Sequence, residues 1–194
     1  MKYWTTVPVA ICAPMLLVGC MSSASNVQTT TAAAPAAKAK AAPVVMAKKA
    51  TMTKMASGCT ATKAINFASA TDDGTNDGHG PKNAIDGNMG SDSRWSSKGT
   101  PKSLNLKLSS VQKIGAVGVA WYKGDERQSK FAIETSKDGK TFTKAVASRS
   151  SSGSNAGLEQ YKFAPVDAQY VRIIGNGNET SAWNSVVEAK AYGC

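Results

Sequence analysis

The sequence predicts an all-β fold, a jelly-roll β-sandwich, over residues 58–194, preceded by a stretch with no core of its own. Three observations carry this. Short alternating or apolar runs recur between turn signals, seven or eight of them in about 135 residues, as in a sandwich or jelly roll. Helical periodicity never lasts beyond a turn or two in this region. Cysteines stand at its two extremes, Cys59 and Cys194, and ends that meet suit such a sandwich.

The elements follow in chain order. Residues 1–19 read as an export signal: Lys2 gives a positive start, and residues 7–18 are mainly apolar but too short to span a bilayer as a helix. The segment ends Leu17-Val18-Gly19-Cys20, which resembles the bacterial lipobox. The resemblance implies a lipoprotein signal peptide cleaved before Cys20, with diacylglycerol and N-acyl chains such as palmitate then added to that cysteine. Met21-Ser22 follows, with no Asp at the second position. By resemblance to the usual sorting pattern, this implies a lipid-anchored place in the cell envelope, at the outer membrane of a Gram-negative bacterium.

Residues 20–57 are expected to be a flexible Ala/Lys/Thr/Pro linker. Pro35 and Pro43 interrupt what alanine would make helical, and no aromatic residue is present to seed a core. Its lysines, Lys38, Lys40, Lys48, Lys49 and Lys54, suit anionic head groups or wall polymers as well as simple solubility. They also explain most of the net charge of +10. The first 58 residues hold six of the 23 Lys and Arg and none of the 13 Asp and Glu, leaving +4 on the rest. With no basic helix or arginine-rich run there, no nucleic-acid partner is expected. Cys12 leaves with the signal and Cys20 is taken by lipid. Cys59 and Cys194 remain as an even pair in an exported protein, and a disulfide between them is expected.

Strands are predicted at 104–108, 115–122, 131–135, 141–147, 159–163, 170–174 and 186–192. Lys137-Asp138-Gly139-Lys140 marks a hairpin turn, and the Ser/Gly-rich stretch 148–157 reads as a loop.

Several of these stretches carry a likeness. Ala84-Ile85-Asp86-Gly87-Asn88 followed by Ser93-Arg94-Trp95-Ser96, then Ser136-Lys137-Asp138-Gly139 with Phe142, then Tyr170-Val171-Arg172-Ile173 and Glu188-Ala189-Lys190-Ala191-Tyr192-Gly193 resemble the coagulation factor V/VIII type C (F5/8 type C), or discoidin, family. That family includes carbohydrate-binding module family 32. Tyr122-Lys123-Gly124-Asp125-Glu126-Arg127 and Gly175-Asn176-Gly177-Asn178 with Trp183-Asn184-Ser185 look like the branch attached to alginate and other polysaccharide lyases, where the module is non-catalytic.

The residues themselves also argue against catalysis. The lone histidine, His79, sits in a Gly-rich loop, no spacing picks out an acid/base carboxylate pair, and no Gly-x-Ser-x-Gly elbow occurs. The chain is expected not to be an enzyme. The resemblance implies a structural calcium held by the 86–93 loop, through Asp86, Asn88, Asp92 and Ser93, with Glu188 of the last strand closing the cage; that set supplies the oxygens calcium prefers. A bare Asp-Gly turn with a surface Glu188 is the simpler alternative.

A sugar site needs aromatic faces and planar hydrogen bonders, and a uronate adds a demand for cations. Tyr122, Lys123, Asp125, Arg127, Asn176, Asn178, Trp183 and Asn184 supply that mixture, with Arg94 and the 73–79 loop at its border. Trp95 and Trp121 are expected in the core. The expected partner is an acidic, uronate-containing polysaccharide such as alginate, or an envelope glycan, with the membrane reached through the lipid anchor. Polysaccharide-degrading enzymes or envelope proteins are further candidate partners. The alternative is a structural or protein-interaction module of the envelope with no sugar ligand.

Overall fold

The computed structural model describes residues 59–74 and 77–194; the expected signal peptide, the lipidation site Cys20 and the linker lie outside them. Eight strands form: β1 (Lys63–Ile65), β2 (Ser69–Asp72), β3 (Trp95–Lys98), β4 (Lys102–Trp121), β5 (Ser129–Ser136), β6 (Thr143–Ser150), β7 (Glu159–Asn178) and β8 (Trp183–Gly193), with one 3-10 turn at Pro81–Ile85. All pairings are antiparallel, in the order β1-β8-β4-β7-β5-β6, with β2 on β4 and β3 on β8.

Two 20-residue strands, β4 and β7, pair with each other at the centre of the strand order. Straight, each would run about 66 Å, longer than a domain of this size is wide. Each therefore bends at breaks in the ladder, between Lys107 and Gln112 and between Ile114 and Ala116 on β4. The predicted runs 104–108 and 115–122 are thus one strand, as are 159–163 and 170–174. The polar residues between them hide the continuity, because a bulge interrupts side-chain alternation without ending the strand. β1, β2 and β3 were not expected: they are three or four residues long, too short for an alternation pattern to show. β6 runs on through Ser150, into the predicted loop. The predicted strand at 141–147 is present as most of this outermost strand; its last three residues are polar and mostly exposed, so only their pairing with β5 reveals the extension.

Leu104, Leu106, Leu108, Ile114, Phe131, Ile133, Ile173 and Val186 fill the core with Trp95 and Trp121. Both buried indoles are satisfied. Trp95 Nε1 donates to Asp72 at 2.8 Å and Trp121 Nε1 donates to the Tyr161 hydroxyl at 2.8 Å. Phe131 packs against Trp121 and Tyr161, with ring centroids 4.9 and 4.5 Å away. Burial holds the Tyr161 phenol far above its ordinary range.

The predicted hairpin turn is present. Asp138 accepts hydrogen bonds from the Lys140 and Thr141 amides and the Ser136 hydroxyl at 2.8–2.9 Å. These bring its carboxyl down to about 2. The disulfide joins Cys59 to Cys194 across 135 residues, with Cα atoms 4.8 Å apart. Every residue of both hydrophobic clusters lies between these cysteines or at Cys59 itself, so residues 59–194 contain their own core.

Candidate functional site

The site grows from the end of β4. Trp121 is buried, and Tyr122 leaves the sheet with its amide donating to the Ser185 carbonyl at 3.2 Å. The chain then doubles back. Lys123 adopts φ +55°, an uncommon left-handed conformation for a residue with a side chain, and its carbonyl accepts both the Glu126 and Arg127 amides at 3.0 Å. Gly124 is wedged in place: a Cβ there would lie 2.5 Å from the Asn155 carbonyl oxygen. This loop folds Arg127 back over the Tyr122 ring, its guanidinium carbon 5.2 Å from the centroid.

A second arginine arrives from elsewhere. β3 pairs with β8 so that Trp95 faces Val186, and β4 pairs with β8 so that Trp121 also faces Val186. Arg94, just before β3, is therefore carried to Tyr122, with its guanidinium 4.5 Å from the ring centroid. Among the described residues neither arginine has a carboxylate partner. Arg94 Nη1 donates only to the Ser91 carbonyl at 2.9 Å, and the Nε of each arginine is buried without a hydrogen-bond partner. Lys123 pairs with Glu126 at 3.0 Å in an exposed contact, which raises its ammonium pKa. Beside this group lies an open hollow of about 260 Å³, lined by Met89, Ser91, Tyr122, Lys123, Asp125 and Ala156 among others.

Of the expected ligand residues, Tyr122, Lys123 and Asp125 line this hollow and Arg127 joins it through the Tyr122 ring. Arg94 moves from the border to the centre. Asn176, Asn178, Trp183 and Asn184 do not line it. Asn178 and Asn184 are buried and their amides are spent on the protein. Asn178 accepts from the Thr180 and Ser181 amides and donates to the Trp183 carbonyl; Asn184 accepts from the Gly177 amide and donates to the Gly99 carbonyl at 2.8 Å. They shape the turn before β8. Trp183 is half-buried at the head of β8, opposite Lys98.

The 73–79 loop is tied down elsewhere. Asp73 accepts the Ser103 amide at 3.0 Å and pairs with Lys102 at 3.6 Å. His79 Nδ1 lies 2.9 Å from Asp77.

The 86–93 loop closes on itself and on β8. Asp86 accepts the Asn88 amide at 2.8 Å and the Ser93 hydroxyl; Asn88 accepts the Gly90 amide at 2.9 Å. Glu188, only 2% exposed, accepts the Gly87 amide at 3.1 Å. Its carboxyl is raised, first by burial and further by the nearby Asp86. Asp92 is exposed. No group of three or more His, Cys, Asp or Glu among the described residues is placed to hold a metal, so a cation here would need backbone, amide or hydroxyl oxygens besides Asp86 and Glu188.

Residues 65–189 match the F5/8 type C domain. The chain belongs to the F5/8 type C family. This F5/8 type C domain is also similar to solved structures described as carbohydrate-binding modules. It is 35% identical to the family 32 module (CBM32) of AlyQ solved with 4,5-unsaturated mannuronic acid, covering 68% of this chain and 98% of that one at a TM-score of 0.63. It is 36% identical to a truncated AlyQ with CBM32 and alginate lyase domains, TM-score 0.63, covering 66% of this chain. There the F5/8 type C match spans only 32% of the longer protein. A pectin-binding module is 26% identical over 66% of this chain and 91% of its own, TM-score 0.61. No curated protein matches the chain.

Proposed function

We propose that the domain is a non-catalytic carbohydrate-binding module for acidic, uronate-containing polysaccharide, displayed at the cell envelope by a lipid on Cys20. The observation that carries the acidic ligand is the pair of guanidiniums over Tyr122. Two like charges held on one ring without a carboxylate partner await an anion, and an arginine can meet a carboxylate with two parallel hydrogen bonds. With cations engaging its ring, Tyr122 offers its hydroxyl and edge more than a stacking face. The AlyQ module, solved with a mannuronic acid derivative, and the pectin-binding module support an anionic ligand. A Cys59 that follows the expected linker fits display on a tether, and many weak contacts on one surface add avidity.

Calcium belongs to the same proposal. The buried Glu188 carboxylate accepts the Gly87 amide next to the exposed Asp86, and a cation between the two acids would relieve the cost of burying Glu188 and pin the 86–93 loop to β8. On removal of calcium by chelator, the melting temperature is expected to fall for the native domain and to stay unchanged for Glu188→Gln.

The deciding experiment is a glycan array and calorimetric titration of residues 58–194 with uronate oligosaccharides, with calcium and with chelator. Binding that Arg127→Ala and Arg94→Ala abolish supports the proposal. A blank array for a folded, oxidised domain overturns it in favour of a protein-interaction or structural role in the envelope.

A further inference from the structure

We propose a second polysaccharide-binding surface, a groove between β6 and the first half of β7, that takes the interior of an acidic polymer chain. It rests on the reading of this domain as a binder of acidic polysaccharide, but on none of the residues around Tyr122.

The groove exists because the first half of β7 is paired on one side only. β7 pairs with β4 at Lys162 and Val166, whereas its pairing with β5 begins only at Tyr170. Beyond its unpaired edge, Thr143, Lys144 and Ala145 of β6, the last strand in the order, line one hollow together with Phe163–Val166. Three adjoining hollows of about 270, 310 and 230 Å³ run along that gap. The first and second share Phe163, Ala164 and Pro165; the second and third share Thr135, Thr143 and Val166. Together they form one trough from Cys59 to the β5–β6 hairpin.

Its chemistry matches a uronate polymer. The floor, residues 163–166, is apolar, and Val166 is 36% exposed, so it offers contact for the C–H faces of sugar rings. Lys162 and Lys144 stand along it, both exposed, and neither has a carboxylate partner among the described residues. The one acid in the lining, Asp167, is neutralised by Lys137 at 3.2 Å. The trough therefore carries a net positive charge beside an apolar floor, which favours an acidic chain over a neutral one. Its length suits several successive sugars, whereas the hollow at Tyr122 is a single small cup.

The two surfaces are also apart. From Ala116, opposite Lys162, to Tyr122 is six residues of β4, roughly 20 Å. One domain with two such surfaces would join two polymer chains, so it should cross-link a long uronate polymer that a single-site module merely decorates.

The test is amide chemical-shift mapping of oxidised residues 58–194 with alginate and pectate fragments, short and long, together with turbidity of long polymer. Long fragments are expected to shift residues 162–166 and 143–145 as well as 122–127. Lys144→Glu with Lys162→Glu should abolish the first set and reduce cross-linking at least fivefold, leaving short fragments bound at Tyr122. Shifts confined to 122–127, with cross-linking unaffected by the charge reversal, overturn the groove and leave the proposed function standing. Shifts only in the groove sustain it and remove the Tyr122 site. Concentration-dependent shifts at 163–166 without polymer, with dimer formation by light scattering and no further change on adding polymer, overturn it in favour of a second copy of the domain.

Discussion

Arg127 reaches Tyr122 where Lys123 accepts a left-handed backbone conformation, and neither guanidinium over the ring has a carboxylate partner among the described residues. A point charge cannot replace a planar fork in such a place. Arg127→Lys is expected to lose most of the affinity for uronate oligosaccharides, and Arg127→Ala to lose it about 10–100-fold, as for a charged hydrogen bond, with the melting temperature within a degree or so of the native domain. Calorimetric titration against differential scanning separates the two effects. Asp138 gives a prediction in pH. Its folded value of about 2 lies below the ordinary 3.8, so its contribution is complete above 3.8 and is lost as pH falls toward 2. The melting temperature of Asp138→Asn should lie below that of the native domain at neutral pH, and the two curves should converge as the pH is lowered through that window. Residue identity made much of this site legible: an aromatic, a lysine and an arginine in a loop after an apolar strand. It left Arg94 at the border, because its contact with Tyr122 spans 28 positions and depends on the β3–β8 pairing. Asn178 and Asn184 read as ligand groups because an amide has the same letter whether it faces solvent or a neighbouring carbonyl.

Strands with a buried alternating face announced themselves, and those without did not. The four-residue β3, which delivers Arg94, and the 148–150 end of the edge strand β6, beyond the predicted run 141–147, owe their existence to partners rather than to pattern. β4 and β7 each read as two strands because their bulges break alternation at the bend. The loop from Tyr122 to Arg127 is an element in the same sense, since its course depends on one close approach. Gly124→Ala places a methyl against the Asn155 carbonyl and the Trp121 carbonyl, 2.5 and 3.1 Å from the ideal Cβ position, and backbone must move. An overpacking cost of about 1–3 kcal/mol is expected, with a loss of uronate affinity that exceeds the change in stability. A variant that keeps full affinity would show that the loop's path does not set the site.

At the scale of the molecule, the disulfide closes the only described domain at its two ends. In the chain-entropy account, a loop of 135 residues confers about 4–5 kcal/mol. Cys59→Ser with Cys194→Ser should therefore lower the melting temperature by roughly 15 °C. Because the disulfide lies beside Lys113–Gly115 and Tyr122 follows the end of β4 seven residues further on, the variant should still bind uronate with native affinity well below its transition. A loss of binding in step with the lost cross-link would mean that the two ends of the sandwich are coupled.

That separation has a mechanical side. β8 carries Gly193 beside the disulfide at one end and Ser185, which receives the Tyr122 amide, near the other. Tension between a captured polymer and residue 58 would run lengthwise along β8 and β4. Their ladder bonds would be strained in shear, many at once, instead of being peeled open one after another. If the domain is tethered as proposed, the cross-link at Cys59 would pass the pull into β8 before β1 could be stripped away.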